Sequence, residues 1–219
     1  MKKEHVIIVS GGTIDSDFAL AFLEKSKEYT LFAVDGGLDF CYRQKLVPQY
    51  IVGDFDSADS SQLAAFEELG KSTMIRLNPE KDDSDTQHAM MMALDRQPRQ
   101  ITLLGATGTR FDHTLANLAL LLLAQQRGVS AAIIDSHNHM TLRDRDFKLE
   151  KSEAFGNFVS FFSYGHNVEN LTLTGFKYPL TNHLLQKSDA GLTVSNEIVS
   201  RVAEVSFTKG ILLVIMSKD

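Results

Sequence analysis

The sequence predicts an α/β fold in two parts: an open, mostly parallel, Rossmann-like sheet domain over residues 1–136, then a small antiparallel β-sheet or β-sandwich over residues 137–219. Three observations predict it. Short apolar runs alternate with helical stretches through the first part, the pattern of strand–helix–strand units around a parallel sheet. The alternation stops near residue 136. Beyond it come β-rich, period-two runs broken by Gly, Asn and Asp, with no convincing helix.

Strand-forming runs fall at residues 5–10, 31–34, 50–52, 73–77, 101–104 and 131–134. They are apolar throughout rather than alternating, which fits strands buried on both faces. Helical stretches lie between them at residues 15–27, 38–45, 60–69, 84–95 and 114–127. The last is almost wholly apolar from Leu115 to Ala124 and is expected to be buried. In the second part the β-rich runs include residues 157–163, 168–173, 202–207 and 211–216. Gly165-His166-Asn167 and Asp189-Ala190-Gly191 supply turn residues between them.

Composition narrows the function classes. Hydrophobic residues make up 43% of the 219 and charged residues 23%, an ordinary globular balance. The net charge of -6 disfavours non-specific binding to nucleic acid or to anionic lipid, so neither is expected as a partner. The single cysteine, Cys41, allows no intrachain disulfide and no multi-cysteine zinc site. The apolar run Val6 to Val9 is too short for a signal-peptide core, and no run approaches the ~20 residues of a membrane span. A cytoplasmic location is expected.

Ligands of open parallel sheets bind beyond the carboxyl ends of the strands, so the functional residues are expected just after each strand. Ser10-Gly11-Gly12 follows the first and Asp35-Gly36-Gly37 the second. Glycines there let the backbone approach a ligand and leave N–H groups bare for phosphate, although a tight turn needs the same residues. Gly53-Asp54-Phe55-Asp56-Ser57 follows the third. Two carboxylates at i and i+2 can converge on one hard cation; Asp56 or Ser57 could instead cap the next helix. Lys81-Asp82-Asp83-Ser84-Asp85 follows the fourth. One of its acidic or hydroxyl residues can cap a helix, but three aspartates in four residues repel one another unless a cation sits among them.

After the fifth strand comes a loop from Gly105 through Gly108, Thr109, Arg110 and Asp112 to His113. Glycines, hydroxyls and an arginine before a helix suit bound phosphate; Asp112 or Thr114 as a simple cap is the alternative. Asn117 and His113, near the start of that helix, are candidate contacts to a nucleotide pocket. Taken together, three strand ends bring aspartates to one edge of the sheet, with Lys81 and Arg110 as the cations in the same loops. Such a set suits Mg²⁺ and a nucleotide polyphosphate. No Walker A, Gly-x-Gly-x-x-Gly, His-Glu-x-x-His or Gly-x-Ser-x-Gly motif competes with this reading. His137-Asn138-His139 lacks thiolate partners and reads as a surface strand edge rather than a zinc site.

In this order, Asp35-Gly36-Gly37, Gly53-Asp54-Phe55-Asp56-Ser57, Lys81-Asp82-Asp83-Ser84-Asp85 and Arg110-Phe111-Asp112-His113 resemble the signature series of the thiamine pyrophosphokinase family. The resemblance extends to Asp135 with Asn138 and to Ser195-Asn196-Glu197, so it covers nearly the whole chain. Two departures stand out: Ser84 where the family has threonine, and Gly108-Thr109-Arg110 where it often has Gly-Gly-Arg. The resemblance implies a homodimer that converts thiamine and ATP to thiamine diphosphate and AMP with Mg²⁺. It implies Asp54, Asp56 and Asp85 as the metal site. It implies Lys81, Ser84, Arg110 and Asp112 as contacts to the phosphates or the reacting hydroxyl, and Ser195 and Asn196 as part of the thiamine pocket. Either Asp85 or Asp112 could orient or deprotonate the hydroxyl. The alternatives are a pyrophosphokinase acting on a pterin, a non-catalytic nucleotide or thiamine sensor, and a metal-dependent phosphatase.

Overall fold

The computed structural model describes residues 4–56, 59–78, 80, 82–189 and 191–219. The chain forms two compact units, divided between Ser136 and His137. In the first, strands and helices alternate without exception: β1 (His5–Val9), α1 (Ser16–Ser26), β2 (Thr30–Val34), α2 (Gly37–Arg43), β3 (Tyr50–Gly53), α3 (Ser60–Leu69), β4 (Thr73–Arg76), α4 (Asp85–Asp95), β5 (Gln100–Leu104), α5 (Phe111–Gln126) and β6 (Ser130–Ile134). The six strands run parallel in the order β4-β3-β2-β1-β5-β6. Val6 to Val9 of β1 and Phe32 to Val34 of β2 have no solvent exposure, as strands covered on both faces require. The chain moves outward from β1 to β4 and then returns to place β5 on β1's other side. That reversal opens a crevice at the carboxyl ends of β1 and β5.

Short polar side chains start three of the helices. Asp15 accepts the N–H of Phe18 at 3.0 Å, Ser84 that of Gln87 at 3.1 Å, and Asp59 that of Ser61 at 2.8 Å. The cap of α3 is therefore Asp59 and not Asp56; Ser57 lies outside the described residues. Helix α5 begins at Phe111, earlier than residue 114, so Asp112 falls in its first turn and neither Asp112 nor Thr114 is its cap. Nor is α5 buried all round. Asn117, Leu120, Leu121 and Ala124 face the core, but Phe111 is 78% exposed and Leu115 63%. One side of the helix suffices to cover the sheet, so the apolar residues on its other side stay in water.

The second unit holds β7 (Asn138–Arg143), β8 (Phe147–Glu150), β9 (Phe158–Ser163), β10 (Val168–Thr174), β11 (Leu180–Leu185), β12 (Val202–Ser206) and β13 (Leu212–Ser217). Strand β13 pairs antiparallel with β7 and β9; β10 and β12 pair antiparallel with each other and with β11 and β8 respectively. Val159, Phe161, Leu212 and Val214 of one sheet pack with Leu171, Leu173, Ala203 and Val205 of the other, which makes a sandwich. Strands β7, β8 and β11 fall outside the runs marked in the sequence. The first two alternate over few residues, and Thr181-Asn182-His183 interrupts β11 with polar side chains. His139 enters β7 with its ring 6.0 Å from that of Phe155, and burial lowers its pKa. Among the described residues no helix is long and apolar enough to cross a membrane.

Candidate active site

The carboxyl edge of the parallel sheet gathers the loops that follow β1, β2, β3 and β5 together with the start of α4. Their backbones approach one another more closely than side chains would allow. A Cβ on Gly11 would lie 3.1 Å from the backbone nitrogen of Gly36, and one on Gly12 would lie 2.3 Å from the carbonyl oxygen of Thr107. The glycines thus fix how near the β1, β2 and β5 loops come. Between them lies a cavity of ≈ 550 Å³, lined among others by Gly11, Gly12, Asp35, Gly36, Gly105 and Arg110. Its volume and its polar, glycine-rich wall suit a nucleotide.

Beside that cavity three carboxylates converge. One oxygen from each of Asp35, Asp54 and Asp85 lies within 4.8 Å of the others. Asp35 directly follows β2, Asp54 directly follows the neighbouring β3, and Asp85 opens α4, where it is 8% exposed. Gly53 is part of this arrangement: a Cβ there would sit 2.7 Å from the Asp35 carboxylate oxygen. Like charges so close repel strongly in a half-buried setting, and a hard divalent cation with oxygen ligands is the partner that this donor set fits. Asp56 lies outside the group of three. Its backbone N–H donates to Asp54 Oδ1 at 3.0 Å, which orients that carboxylate, while its own side chain is exposed. Ser84 caps α4 beside Asp85, and Thr86 donates to the buried Ser10 hydroxyl at 3.1 Å. Lys81 lies outside the described residues.

The family profile described as "Thiamin pyrophosphokinase, catalytic domain" matches residues 22–133, and that described as "Thiamin pyrophosphokinase, vitamin B1 binding domain" matches residues 145–212. The chain belongs to the thiamine pyrophosphokinase family. The thiamine pyrophosphokinase of Bacillus subtilis is 35% identical over 195 residues, 88% of this chain and 89% of its own. A crystal structure of the B. subtilis enzyme covers 99% of this chain and 100% of its own at 31% identity, with a TM-score of 0.88. That of the Geobacillus thermodenitrificans thiamin pyrophosphokinase covers 98% of each chain at 30% identity, with a TM-score of 0.85.

At the far wall of the cavity this member of the thiamine pyrophosphokinase family pairs Arg110 with Asp112. The guanidinium donates to both carboxylate oxygens, through Nε at 3.2 Å and Nη2 at 2.6 Å, and the N–H of His113 adds a third contact at 2.9 Å. Arg110 first, then the backbone N–H, holds the Asp112 carboxyl down at about 2. A carboxylate so stabilised is a weak proton acceptor. His113 stands in the cavity wall, and Asn117, 9% exposed, donates its side-chain amide to the carbonyl of Ala106 at 2.8 Å.

Ser195 and Asn196 belong to the second unit and differ from each other in environment. Ser195 is exposed, with a left-handed φ of 54°, and its N–H donates to the Ser160 hydroxyl at 3.0 Å. Asn196 is 2% exposed. Its Oδ1 accepts the N–H groups of Tyr178 and Glu197, and its Nδ2 donates to the Tyr178 carbonyl. The amide thus braces the backbone around Tyr178, whose ring is 57% exposed. Sequence reasoning did not single out Tyr178. The bracing contacts cross 18 residues of chain, and no local pattern announces them.

Proposed function

We propose that this chain transfers the pyrophosphoryl group of ATP to the hydroxyl of thiamine, releasing AMP, with Mg²⁺ held by Asp35, Asp54 and Asp85 and with Asp56 at the rim. The observation that carries this reading is the convergence of three carboxylates beside a glycine-walled cavity of nucleotide size. Bound there, Mg²⁺ would neutralise charge on the phosphate oxygens. The thiamine oxygen forms a bond to the β-phosphorus, the bond from that phosphorus to the α–β bridging oxygen breaks, and the hydroxyl proton passes to solvent or to a carboxylate. Gly11, Gly12, Gly36, Gly105 and Gly108 line the cavity that would take the nucleotide, whereas Gly37 is buried against the Val9 carbonyl and is absent from the cavity wall. Lys81, Ser84 and His113 stand as further contacts to it.

Arg110 is the cation for the transferred group. Its pairing with Asp112 keeps it at the cavity wall, ready to exchange one anionic partner for another. Asp112 is given the part of holding Arg110 at the wall until a phosphate takes its place. For the acceptor, Ser195 offers an exposed hydroxyl, while Asn196 acts through Tyr178, whose exposed ring gives a flat surface for a cationic aromatic ligand. A homodimer would cover the apolar side of α5, where Phe111 and Leu115 stand in water.

Mass spectrometry of products from ATP, Mg²⁺ and thiamine tests the reaction. AMP should form in step with thiamine diphosphate. ADP in stoichiometric amount would refute the transfer chemistry, inorganic phosphate without acceptor would favour a phosphatase, and binding without turnover a sensor. Light scattering on the purified chain should give twice the 24.4 kDa monomer mass.

A further inference from the structure

The loop from Gly105 to Arg110 is held by its carbonyl oxygens. The Gly105 carbonyl accepts from the N–H of Gly12, that of Ala106 from the Asn117 amide, and that of Thr107 from the N–H of Thr13, each at 2.8 Å. In a trans peptide the N–H points opposite to the C=O of the same plane. Each N–H is therefore turned away from its own plane's anchor: those of Ala106 and Gly108 away from the loop after β1, and that of Thr107 away from α5. From Ala106 to Arg110 no backbone N–H has a partner among the described residues. Ala106 to Arg110 all line the cavity, and backbone N–H groups in such a wall are donors that an anion or water can take up.

One further contact fixes this loop, and it comes from outside the cavity. The Thr107 hydroxyl donates to Asp135 Oδ2 at 2.9 Å. Asp135 follows β6, which pairs with β5, and it is absent from the cavity wall, whereas Thr107 is part of that wall. The half-buried carboxylate meets the loop at the Thr107 hydroxyl, beside the anchored peptides.

We propose that Asp135 is a positioning residue for the nucleotide: through the Thr107 hydroxyl it sets the peptide planes of residues 105–108 so that their N–H groups face a phosphate. This rests on the nucleotide reading above. It assigns Asp135 to phosphate recognition without contact to the ligand. Loss of the tie should therefore weaken a phosphorylated ligand and spare its phosphate-free counterpart.

Calorimetry on the full chain with ATP and Mg²⁺, and separately with adenosine, reads this out. Asp135→Ala should weaken ATP about ten-fold, the scale of one hydrogen bond to a charged group, and leave adenosine unchanged. Asp135→Asn keeps an acceptor for Thr107 and should stay close to wild type. Thr107→Val removes the donor and should match Asp135→Ala, and the double variant should lose no more than either single one. Unchanged ATP affinity in Asp135→Ala would overturn the proposal. So would an equal loss for adenosine, or an Asn variant as weak as the Ala variant. If Asp135→Ala fails to fold, Thr107→Val with unchanged ATP affinity overturns it equally. A wild-type chain that binds no ATP refutes the nucleotide reading itself, and this inference with it, whereas wild-type binding with unaffected variants refutes the inference alone.

Discussion

Two charged groups share the catalytic edge of the sheet, and they are built in opposite ways. Asp35, Asp54 and Asp85 are like charges, drawn from two strand ends and a helix start, with Asp85 nearly buried. Arg110 and Asp112 are opposite charges two residues apart on one exposed stretch. The carboxylates of the first group repel one another, and a cation among them would relieve that repulsion. The second is already neutral, and its exposed ion pair contributes little to stability. On the proposed function the two groups serve differently: one would take up a cation, the other would hold an arginine until a phosphate arrives.

Removing a carboxylate from the first group gives the largest expected effect. Asp35→Asn and Asp54→Asn should each lower turnover by at least ~10²-fold, as for loss of a main electrostatic contact at a reacting centre. Asp54→Asn should melt no lower than wild type without divalent metal, because a repulsive charge has gone while its Oδ1 can still accept the Asp56 N–H. A clear drop in metal-free melting temperature would show that the carboxylates support one another by hydrogen bonds, and the contrast would fail. Mg²⁺ should raise the wild-type melting temperature and leave these variants nearly unmoved.

Arg110→Gln comes next. It should reduce kcat/KM for the nucleotide by roughly 10–100-fold with no change in melting temperature, since a two-pronged charged contact is lost from an exposed site. Arg110→Lys should recover only part, because lysine cannot reproduce the fork. Asp112→Asn should cost under about ten-fold, since the proposed role is to hold a partner. The sign of its pKa shift gives a sharper check. A carboxyl held at about 2 stays charged until the pH falls that far. The acid limb of the pH–rate profile should therefore keep its midpoint in Asp112→Asn; a shifted midpoint would return Asp112 to the proton-transfer step.

The smallest effect concerns stability. Burial lowers the pKa of His5 in the first unit and of His139 in the second. The unfolded chain takes up protons below about 6.5 that these folded histidines resist, so stability should fall as the pH drops through that value. His139→Gln should flatten the decline, as measured by urea titrations between pH 7 and 5.

Much of the first unit was legible because its signals are local. Apolar runs mark strands buried on both faces, and helix α3 spans residues 60–69 as the sequence predicts. The gathering of Asp54 and Asp85 could be expected from strand ends alone. The sequence places Asp35 in a glycine turn suited to phosphate; its place in the carboxylate group depends on β2 lying beside β3 and on Gly53 leaving it room. In the second unit the polar strands β8 and β11 gave weaker signals. The part of Asn196 as a brace depends on a contact with a strand connection 18 residues away, which no spacing rule reaches.

Asp35, Phe55 and Ser195 share one backbone property: each has a positive φ, at 46°, 63° and 54°. Glycine adopts that conformation without strain, and Phe55 in particular is bulky for it. Arg76 lies over the Phe55 ring at 5.2 Å, and the ring is buried between the two aspartates of its loop in sequence. A laboratory population selected only for heat resistance would be free to exchange these side chains for glycine and so relieve the strain. Selection for growth that depends on converting supplied thiamine to its diphosphate would keep them. The two regimes should drive the same three codons apart, and their divergence would record which part of the sequence serves persistence and which serves chemistry.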